Sequence, residues 1–333
     1  MTLNNEKKTK ILVTGACGQI GTELVAALRA KYGRMEVVAS DIHGREKSGM
    51  ENPYFRVDVL DATALEWTVS NLGITQIYHL AAMLSATGEK EPLRGWDLNM
   101  RGLLNVLEVG RKCQLDKVFW PSSIAVFGPA SPKASCPQHA VTDPATVYGI
   151  SKVAGEYWCK YYQERYGLDV RSIRYPGLIG YAAEPGGGTT DYAVDIFHSA
   201  LRDGCYTCYL GEGTALPMLY MPEAIRATLE LMDAPRLALS VKTSYNLSGI
   251  KFTPRELAEE IKKHISGFSV RYEPDTRQDI ADSWPWSIDD SAARFDWNWR
   301  PSCDLEHMVK DMLERLSARP LTLLVGEKRG GLI

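Results

Sequence analysis

The feature that most constrains the fold is a regular alternation of short apolar runs with helical patterns in the first half of the chain. Six runs are apolar enough to be buried on both faces of a sheet: KILVTG, MEVVASD, YFRVDV, QIYHLAA, DKVFWPSS and DVRSIRYPG. Between them, segments such as IGTELVAALRAKYG and MRGLLNVLEVGRKCQ carry apolar residues at spacings of three and four. This alternation predicts an α/β fold in which helices cover both sides of a parallel sheet.

The alternation weakens after about residue 176. The stretch GYAAEPGGGTTDY predicts a loop, and AVDIFHSALRDG predicts a helix after it. The stretch PMLYMPEAIRATLELMDAP predicts a strand and a helix that return to the main domain, while FTPRELAEEIKKHI predicts a helix that Thr253 and Glu256 open with a capping box. We therefore predict a large domain of residues 1–176 and about 217–248, and a smaller α/β lobe of about 177–216 and 249–333.

Composition and charge argue against several classes of protein. The formal net charge of -3 leaves no excess of positive charge to bind nucleic acid or an anionic membrane surface. No run of roughly 18 or more apolar residues occurs, and the start MTLNNEKKTK is polar. The seven cysteines are scattered, and their spacing completes no metal site. We expect a soluble intracellular protein with no metal, no nucleic-acid partner and no membrane partner.

A glycine-rich turn follows the first predicted strand. Gly15, Gly18 and Gly21 lie between this strand and the first helix, where backbone N–H groups and the helix N-terminus favour a pyrophosphate. Asp41 ends the second predicted strand, where a carboxylate accepts hydrogen bonds from ribose hydroxyls and repels a 2′-phosphate. Asp58 ends the third strand and is placed to meet the adenine amine. The pattern predicts a Rossmann-type, doubly wound domain that binds NAD rather than NADP.

The stretch TDPATVYGISK places Tyr148 four residues before Lys152, a spacing that a surface pair on a helix would also explain. The order of the surrounding motifs changes this interpretation. The pattern T-G-x-x-G-x-x-G, HLAA, Asn99 in WDLNMRGLLNVLE, PSSIAVFG and YGISK together resemble the extended short-chain dehydrogenase/reductase family over nearly the whole chain. The resemblance implies that Tyr148 and Lys152 are catalytic.

The resemblance also implies roles for the other site residues. Tyr148 is the expected general base, and we expect Lys152 and the positive nicotinamide ring to lower its pKa. Ser123 is expected to hold the substrate oxygen, with Ser122 as the alternative. The residues expected to bind NAD are Gly15, Gly18, Gln19, Ile20, Gly21, Asp41, Ile42, Asp58, Val59, Leu80, Ala81, Ala82, Asn99, Tyr148, Lys152, Tyr175 and Leu178.

Within this superfamily, the chain is similar to the short-chain type of L-threonine 3-dehydrogenases. The similar stretches include HLAAMLSATGE, TVYGISKVAGE, PGGGTTDYAV and IADSWPWSIDDSAARFDW. The resemblance implies NAD-dependent oxidation of the L-threonine β-hydroxyl to 2-amino-3-ketobutyrate, without a metal. Trp284 is equally well explained by packing in the lobe. The residues expected to bind the substrate are Ser85, Ser123, Tyr148, Gly187, Thr189, Thr190 and Trp284.

Two other functions remain open from the sequence. Nucleotide-sugar epimerases and dehydratases use the same tyrosine and lysine. Four arginines are candidates for binding the diphosphate of such a sugar: Arg171, Arg174, Arg202 and Arg226. A non-catalytic NAD-sensing protein is less well supported, because such proteins typically lose the catalytic pair. Relatives also imply a homodimer through the helices NMRGLLNVLEVGRKCQ and YGISKVAGEYWCKYYQERYG, and a cytoplasmic or mitochondrial location.

Overall fold

The computed structural model describes residues 9–183, 186 and 188–318. Its first strands coincide with the runs predicted from the sequence, because β-branched and aromatic residues fit a buried, pleated surface. The strands are β1 (Ile11–Thr14), β2 (Val37–Asp41), β3 (Tyr54–Arg56), β4 (Gln76–His79), β5 (Lys117–Phe119), β6 (Ser122–Ser123), β7 (Val170–Arg171), β8 (Ile173–Tyr175), β9 (Gly177–Ile179), β10 (Cys205–Cys208), β11 (Leu216–Tyr220), β12 (Tyr245–Asn246), β13 (Ile250–Phe252) and β14 (Ser269–Tyr272).

The helices begin and end at recognisable signals. The predicted capping box is present, because the Thr253 hydroxyl accepts the N–H of Glu256 while the Glu256 carboxylate accepts the N–H of Thr253. The helices are α1 (Gln19–Tyr32), α2 (Arg45–Ser48), α3 (Ala62–Leu72), α4 (Ser85–Gly88), α5 (Pro92–Lys112), α6 (Val147–Tyr166), α7 (Tyr192–Asp203), α8 (Met221–Asp233), α9 (Pro254–Lys262), α10 (Arg277–Ser283), α11 (Ser291–Trp297) and α12 (Leu305–Ser317).

A six-stranded parallel sheet in the order β3-β2-β1-β4-β5-β7 forms the centre of the protein. All its neighbouring strands pair in parallel, so their carboxyl ends lie along one edge. The chain winds outward from β1 in one direction and from β4 in the other, which opens a crevice between these strands at that edge. The Rossmann-type fold predicted from the sequence is confirmed.

Both faces of this sheet are covered by helices, as the alternating side chains of β1 demonstrate. Ile11 and Val13 lie in a buried cluster with residues of α1 and α8. Leu12, between them, lies in a second buried cluster with residues of α3, α5 and α6. Because successive side chains of a strand point to opposite faces, a strand that is apolar at each position must be covered on both sides.

The remaining strands form three small sheets: β12-β8-β6, β13-β11-β9 and β10-β14. A third buried cluster contains Phe197 of α7, Leu257 of α9 and Met312 of α12. Its segments come from both parts of the predicted lobe, and β10 pairs in parallel with β14 across that sequence gap. The division into two units at the residues given above stays a prediction.

Within the described ranges, no helix combines the length and the apolar character of a membrane span.

Candidate active site

The glycine-rich turn lies where β1 enters α1. Gly15 has a φ of +70°, and a Cβ added to it would lie 2.6 Å from the backbone nitrogen of Ala81. A Cβ added to Gly21 would lie 2.4 Å from the carbonyl oxygen of Gly15. Both positions therefore require glycine. Gly18 is the N-cap of α1 and makes no side-chain cap, so the first N–H groups of this helix are available to an anion.

Asp41 lies beside this turn, at the carboxyl end of β2. Its Oδ2 atom accepts the N–H of Cys17 at 3.1 Å, so the carboxylate is held against the turn. Ile42, the next residue, is exposed. Burial, together with the Asp41 charge, raises the pKa of the Cys17 thiol above its ordinary value. A fixed carboxylate next to the N-terminus of α1 is the arrangement that binds an adenosine ribose in this fold.

A cavity of about 640 Å³ begins at the glycine-rich turn and extends along the carboxyl edge of the sheet to the Tyr148–Lys152 pair. The N–H groups of α1 at one end, and space beside two ionisable side chains at the other, fit the pyrophosphate and the nicotinamide of NAD. The predicted residues that line this cavity are Gly15, Gly18, Gln19, Ile20, Gly21, Leu80, Ala82, Ser85, Ser123, Tyr148, Lys152, Tyr175, Leu178, Thr189, Thr190 and Trp284.

Tyr148 lies in the first turn of α6. The Thr146 hydroxyl caps this helix by accepting the N–H of Gly149, and the Glu89 carboxylate accepts the N–H of Val147 at 2.8 Å. Burial raises the pKa of Tyr148 to about 12, while the nearby Ser123 hydroxyl lowers it. The lowering of this pKa that the sequence predicts depends on Lys152 and on the nicotinamide ring, and burial acts against it. Among the protein's own groups, desolvation of the phenol outweighs any stabilisation of the phenolate.

Lys152 lies one turn further along α6 and is buried. Its ammonium donates to the carbonyl oxygen of Pro121 at 2.6 Å, and Nζ lies 4.5 Å from the ring centroid of Trp120 and 5.3 Å from that of Tyr148. Burial lowers the pKa of Lys152 to about 7. Burial, together with the Lys152 charge, lowers the pKa of His79 to about 3, so this histidine is neutral. The His79 Nδ1 atom lies 2.8 Å from the Thr14 hydroxyl.

The two adjacent serines have different partners. The Ser122 hydroxyl donates to the Glu156 carboxylate at 2.7 Å inside the core. The Ser123 hydroxyl accepts the N–H of Ala125 at 3.2 Å and lies beside Tyr148. A serine whose proton is held by a buried carboxylate cannot also donate it to a substrate. The geometry therefore favours Ser123, which the sequence spacing had preferred over Ser122.

The four arginines that were candidates for binding a diphosphate do not form such a site within the described part of the chain. None of them is among the described residues that line the cavity. Arg174 is buried and donates twice to Glu156, at 2.8 and 2.7 Å. The ion pairs join Arg171 to Asp169, Arg174 to Glu156, Arg202 to Asp203 and Arg226 to Glu223.

Polar groups from two further segments also line the cavity. Ser85 is the first residue of α4 and is buried. The Thr189 hydroxyl oxygen is buried and has no hydrogen-bond partner among the residues that the structure describes. Thr190 follows it, and the Asp191 carboxylate accepts the N–H of Gly188 at 2.7 Å, which closes this turn. Trp284 is 7% exposed, lines the cavity and belongs to the lobe core.

Some predicted cofactor residues lie outside the cavity lining. Asp58 is exposed, and its carboxylate accepts the N–H of Leu60 at 2.9 Å. Asn99 is buried between segments: it donates to the Met83 carbonyl and to the Ser151 hydroxyl, at 3.1 and 3.2 Å. It therefore joins the segment after β4 to α6. The others outside the lining are Asp41, Ile42, Val59 and Ala81. Gly187 lies outside the described residues.

Sequence reasoning missed several lining residues. Asp191 follows Thr190 directly and precedes α7, so an acidic residue at the start of a helix was the available signal. The apolar lining residues carry no comparable signal, because an isolated leucine or methionine looks like core. Those missed include Met83, Leu84, Leu98, Ile124 and Asp191.

Comparison with known proteins gives consistent relatives. Residues 11–248 match the model of the NAD dependent epimerase/dehydratase family. An uncharacterized epimerase/dehydratase of Staphylococcus haemolyticus is 46% identical over 313 residues, which cover 93% of this chain and 98% of that protein.

Two solved structures are similar over nearly their whole length. The holo form of an L-threonine dehydrogenase from Cupriavidus necator is 55% identical, covers 92% of this chain and 99% of its own, and has a TM-score of 0.90. A monomeric L-threonine 3-dehydrogenase from a metagenome is 49% identical, with coverages of 92% and 98% and a TM-score of 0.88. The chain therefore belongs to the NAD-dependent epimerase/dehydratase family, within the extended short-chain dehydrogenases/reductases, and is an NAD-dependent oxidoreductase.

Proposed function

We propose that the protein oxidises the β-hydroxyl of L-threonine to the ketone of 2-amino-3-ketobutyrate, reducing NAD to NADH, with Tyr148 as general base. The observation that carries this proposal is the convergence of Tyr148, Lys152 and Ser123 on the cavity that begins at the glycine-rich turn. Structural neighbours that are L-threonine dehydrogenases support the choice of substrate.

The reaction removes a hydride from Cβ of the substrate and a proton from its hydroxyl. NAD held at the glycine-rich turn would supply the hydride acceptor, and the positive charge of its ring would favour the phenolate of Tyr148. Tyr148 accepts the hydroxyl proton, and Ser123 donates a hydrogen bond to the same oxygen. Burial raises the pKa of Tyr148 to about 12, which disfavours the phenolate. Formation of the phenolate therefore depends on the positive charge of the nicotinamide ring.

Lys152 has two roles in this proposal. Its bond to the Pro121 carbonyl fixes the ammonium below the Tyr148 ring, 5.3 Å from the ring centroid. Charged Lys152 stabilises the phenolate by attraction, and a neutral amine cannot do so. We infer that its remaining N–H groups hold the nicotinamide ribose.

A free amino acid needs partners for its carboxylate and its ammonium. The Thr189 hydroxyl, which has no hydrogen-bond partner among the described residues, joins Ser85 and Thr190 in supplying hydroxyls to the cavity that Tyr148 also lines. Trp284 adds an apolar wall for the substrate methyl group. A few convergent polar groups in a mostly apolar enclosure are typical of a site for a small zwitterion.

The test is the absorbance at 340 nm when purified protein is mixed with NAD and L-threonine. We expect NADH to form, a much lower rate with NADP because Asp41 repels its 2′-phosphate, and loss of at least about 10²-fold in kcat for Tyr148→Phe. L-Serine and L-allo-threonine serve as substrate controls.

Absence of NADH from L-threonine, in protein that binds NAD, would contradict the proposal. Uridine diphosphate sugars are then the next compounds to try. Conversion of such a sugar would support the epimerase alternative, although its diphosphate would have to bind without the four ion-paired arginines.

We also propose that the protein forms a homodimer through α6. Its outer face carries four exposed aromatic residues: Tyr157, Trp158, Tyr161 and Tyr166. Ring contacts join Trp158 to Tyr161 and Tyr161 to Tyr166. A contiguous exposed aromatic surface of this kind favours association.

Light scattering after size-exclusion chromatography should give the mass of a dimer, and Trp158→Glu should give a monomer. Trp67→Glu, which changes an exposed tryptophan on α3, is the control. A monomeric wild-type protein, as described for one structural neighbour, would contradict this proposal.

A further inference from the structure

Lys133 makes an unusual set of contacts with the end of α10. Its ammonium lies 2.8 Å from the carbonyl oxygen of Asp282, 2.6 Å from that of Ser283 and 3.5 Å from that of Trp284. These are carbonyls at the C-terminus of a helix, which lack intrahelical partners and carry partial negative charge. One ammonium therefore holds the backbone immediately before the Trp284 side chain.

The main chain of Lys133 holds the backbone on the other side of that tryptophan. Its carbonyl oxygen accepts the N–H of Trp286 at 2.9 Å and lies 3.4 Å from the nitrogen of Ser287. The pairing continues, since the N–H of Cys136 donates to the Ser287 carbonyl at 2.9 Å. Residues 282–287 thus wrap around a single lysine, with Trp284 in the middle of the turn.

Trp284 depends on these bonds for its position. It follows the last residue of α10, has an extended backbone (φ -88°, ψ 159°), and precedes a proline. Neither a helix nor a strand extends through this residue, and its indole forms part of the cavity wall. A change in the turn therefore changes the shape of the cavity that Tyr148 also lines.

We propose that Lys133 is a positioning residue that sets substrate specificity by holding Trp284 against the bound amino acid. This inference rests on the proposed oxidation of L-threonine. Loosening the wall weakens contact with the substrate methyl group and admits a longer side chain. Among the described residues, no hydrogen bond of the Lys133 ammonium reaches the glycine-rich turn, so we expect binding of NAD to be unaffected.

The test compares three variants with a matched control. Lys133→Met keeps the aliphatic stem and removes the ammonium, Lys133→Gln keeps one donor, and Lys133→Arg keeps the charge. Lys117→Met is the control, because Lys117 also donates to a carbonyl, that of Met232 at 2.6 Å, and this carbonyl belongs to α8 rather than to the turn that carries Trp284. The Gln variant provides a measurement if the Met variant does not fold.

For Lys133→Met we expect the KM for L-threonine to rise about tenfold, from loss of charge-assisted hydrogen bonds, with kcat changed less. The preference for L-threonine over its homologue with one more methylene should fall about tenfold, because a methylene in a fitted pocket discriminates by about 10- to 200-fold. Because the variant changes no residue of the glycine-rich turn, the Kd for NAD should stay within about twofold of the wild-type value. Lys133→Arg should restore most of the KM, and Lys117→Met should change none of these quantities.

Backbone hydrogen exchange provides a readout that does not need the substrate. We expect faster exchange at the amides of Trp286 and Ser287 in Lys133→Met, and unchanged exchange there in Lys117→Met. Unchanged exchange together with unchanged KM and selectivity in Lys133→Met would overturn the inference. An equal rise in the KM for L-threonine and the Kd for NAD would also overturn it, since that pattern indicates general loosening. Wild-type protein that binds NAD but leaves L-threonine unchanged overturns the proposed function instead, and the exchange data then decide whether Lys133 orders the turn.

Discussion

Replacing Lys152 by methionine should change how the stability of the protein depends on pH. The side chain is buried, and its pKa falls from 10.5 to about 7. At about 1.36 kcal/mol per pKa unit, keeping this lysine in the folded protein at pH 7.5 costs about 4 kcal/mol relative to the unfolded chain. The bond to the Pro121 carbonyl and the contact with Trp120 favour the ammonium, so they oppose the lowering of the pKa without preventing it.

The sign follows from proton binding. Between pH 7 and pH 10.5 the unfolded chain keeps the Lys152 proton and the folded protein releases it, so the free energy of unfolding rises with pH in this window. Lys152→Met lacks this contribution. From pH 7.5 to pH 9.5, wild-type protein should therefore gain about 2–3 kcal/mol relative to the variant. At pH 7.5 the variant should be equally stable or more stable, because it avoids the cost of releasing the Lys152 proton on folding, which outweighs the loss of the bond to the Pro121 carbonyl.

Urea denaturation of both proteins at pH 7.5, 8.5 and 9.5, without added NAD, measures the difference. All other titrating groups are shared, so they cancel in the comparison. Parallel dependence of the two unfolding free energies on pH would refute the reasoning, because Lys152 would then titrate at the same pH in the folded and unfolded chain. We expect the variant to be inactive in every case, which would make Lys152 a residue kept for catalysis at the expense of stability.

Three further outcomes are expected. Gly21→Ala should weaken NAD binding at least about tenfold in fluorescence titration, because the added Cβ would lie 2.4 Å from the Gly15 carbonyl oxygen. Overpacking of this kind costs about 1–3 kcal/mol, and unchanged affinity would contradict the expectation. Arg174→Met should lower the free energy of unfolding by about 3–5 kcal/mol, because the charge of Glu156 is left buried without its ion-pair partner. Adding Glu156→Gln to this variant should recover part of the lost free energy, and a double variant as unstable as the single one would exclude this explanation. Alkylation of Cys17 at pH 7.5 should be slow by mass spectrometry, because its raised pKa leaves little thiolate, and rapid alkylation would disagree.

Much of the fold could be predicted from the sequence because its determinants are local. Consecutive apolar positions in the strand of Ile11–Thr14 require cover on both sides, and alternation with helices then leaves few topologies besides a parallel, doubly wound sheet. The glycine-rich turn and Asp41 could be identified from the sequence for the same reason. Each follows a strand directly, and in a parallel sheet the ends of strands meet at one edge.

Tertiary contacts decided the questions that depend on partners distant in sequence. Ser122 and Ser123 are equivalent as letters, and only a carboxylate on α6 assigns the first to the core. Arg174 looked available for a ligand until its partner Glu156 was placed beside it.

The electrostatics of the site also required the fold. The Tyr148–Lys152 spacing predicts that the two side chains are close, and the structure agrees, with Nζ 5.3 Å from the ring centroid. Spacing carries no information about burial, and burial raises the pKa of Tyr148 and lowers that of Lys152. The sequence alone therefore determined which residues meet, through helical and strand geometry, while the free energy of charging them was decided by the low-dielectric surroundings that only tertiary packing creates.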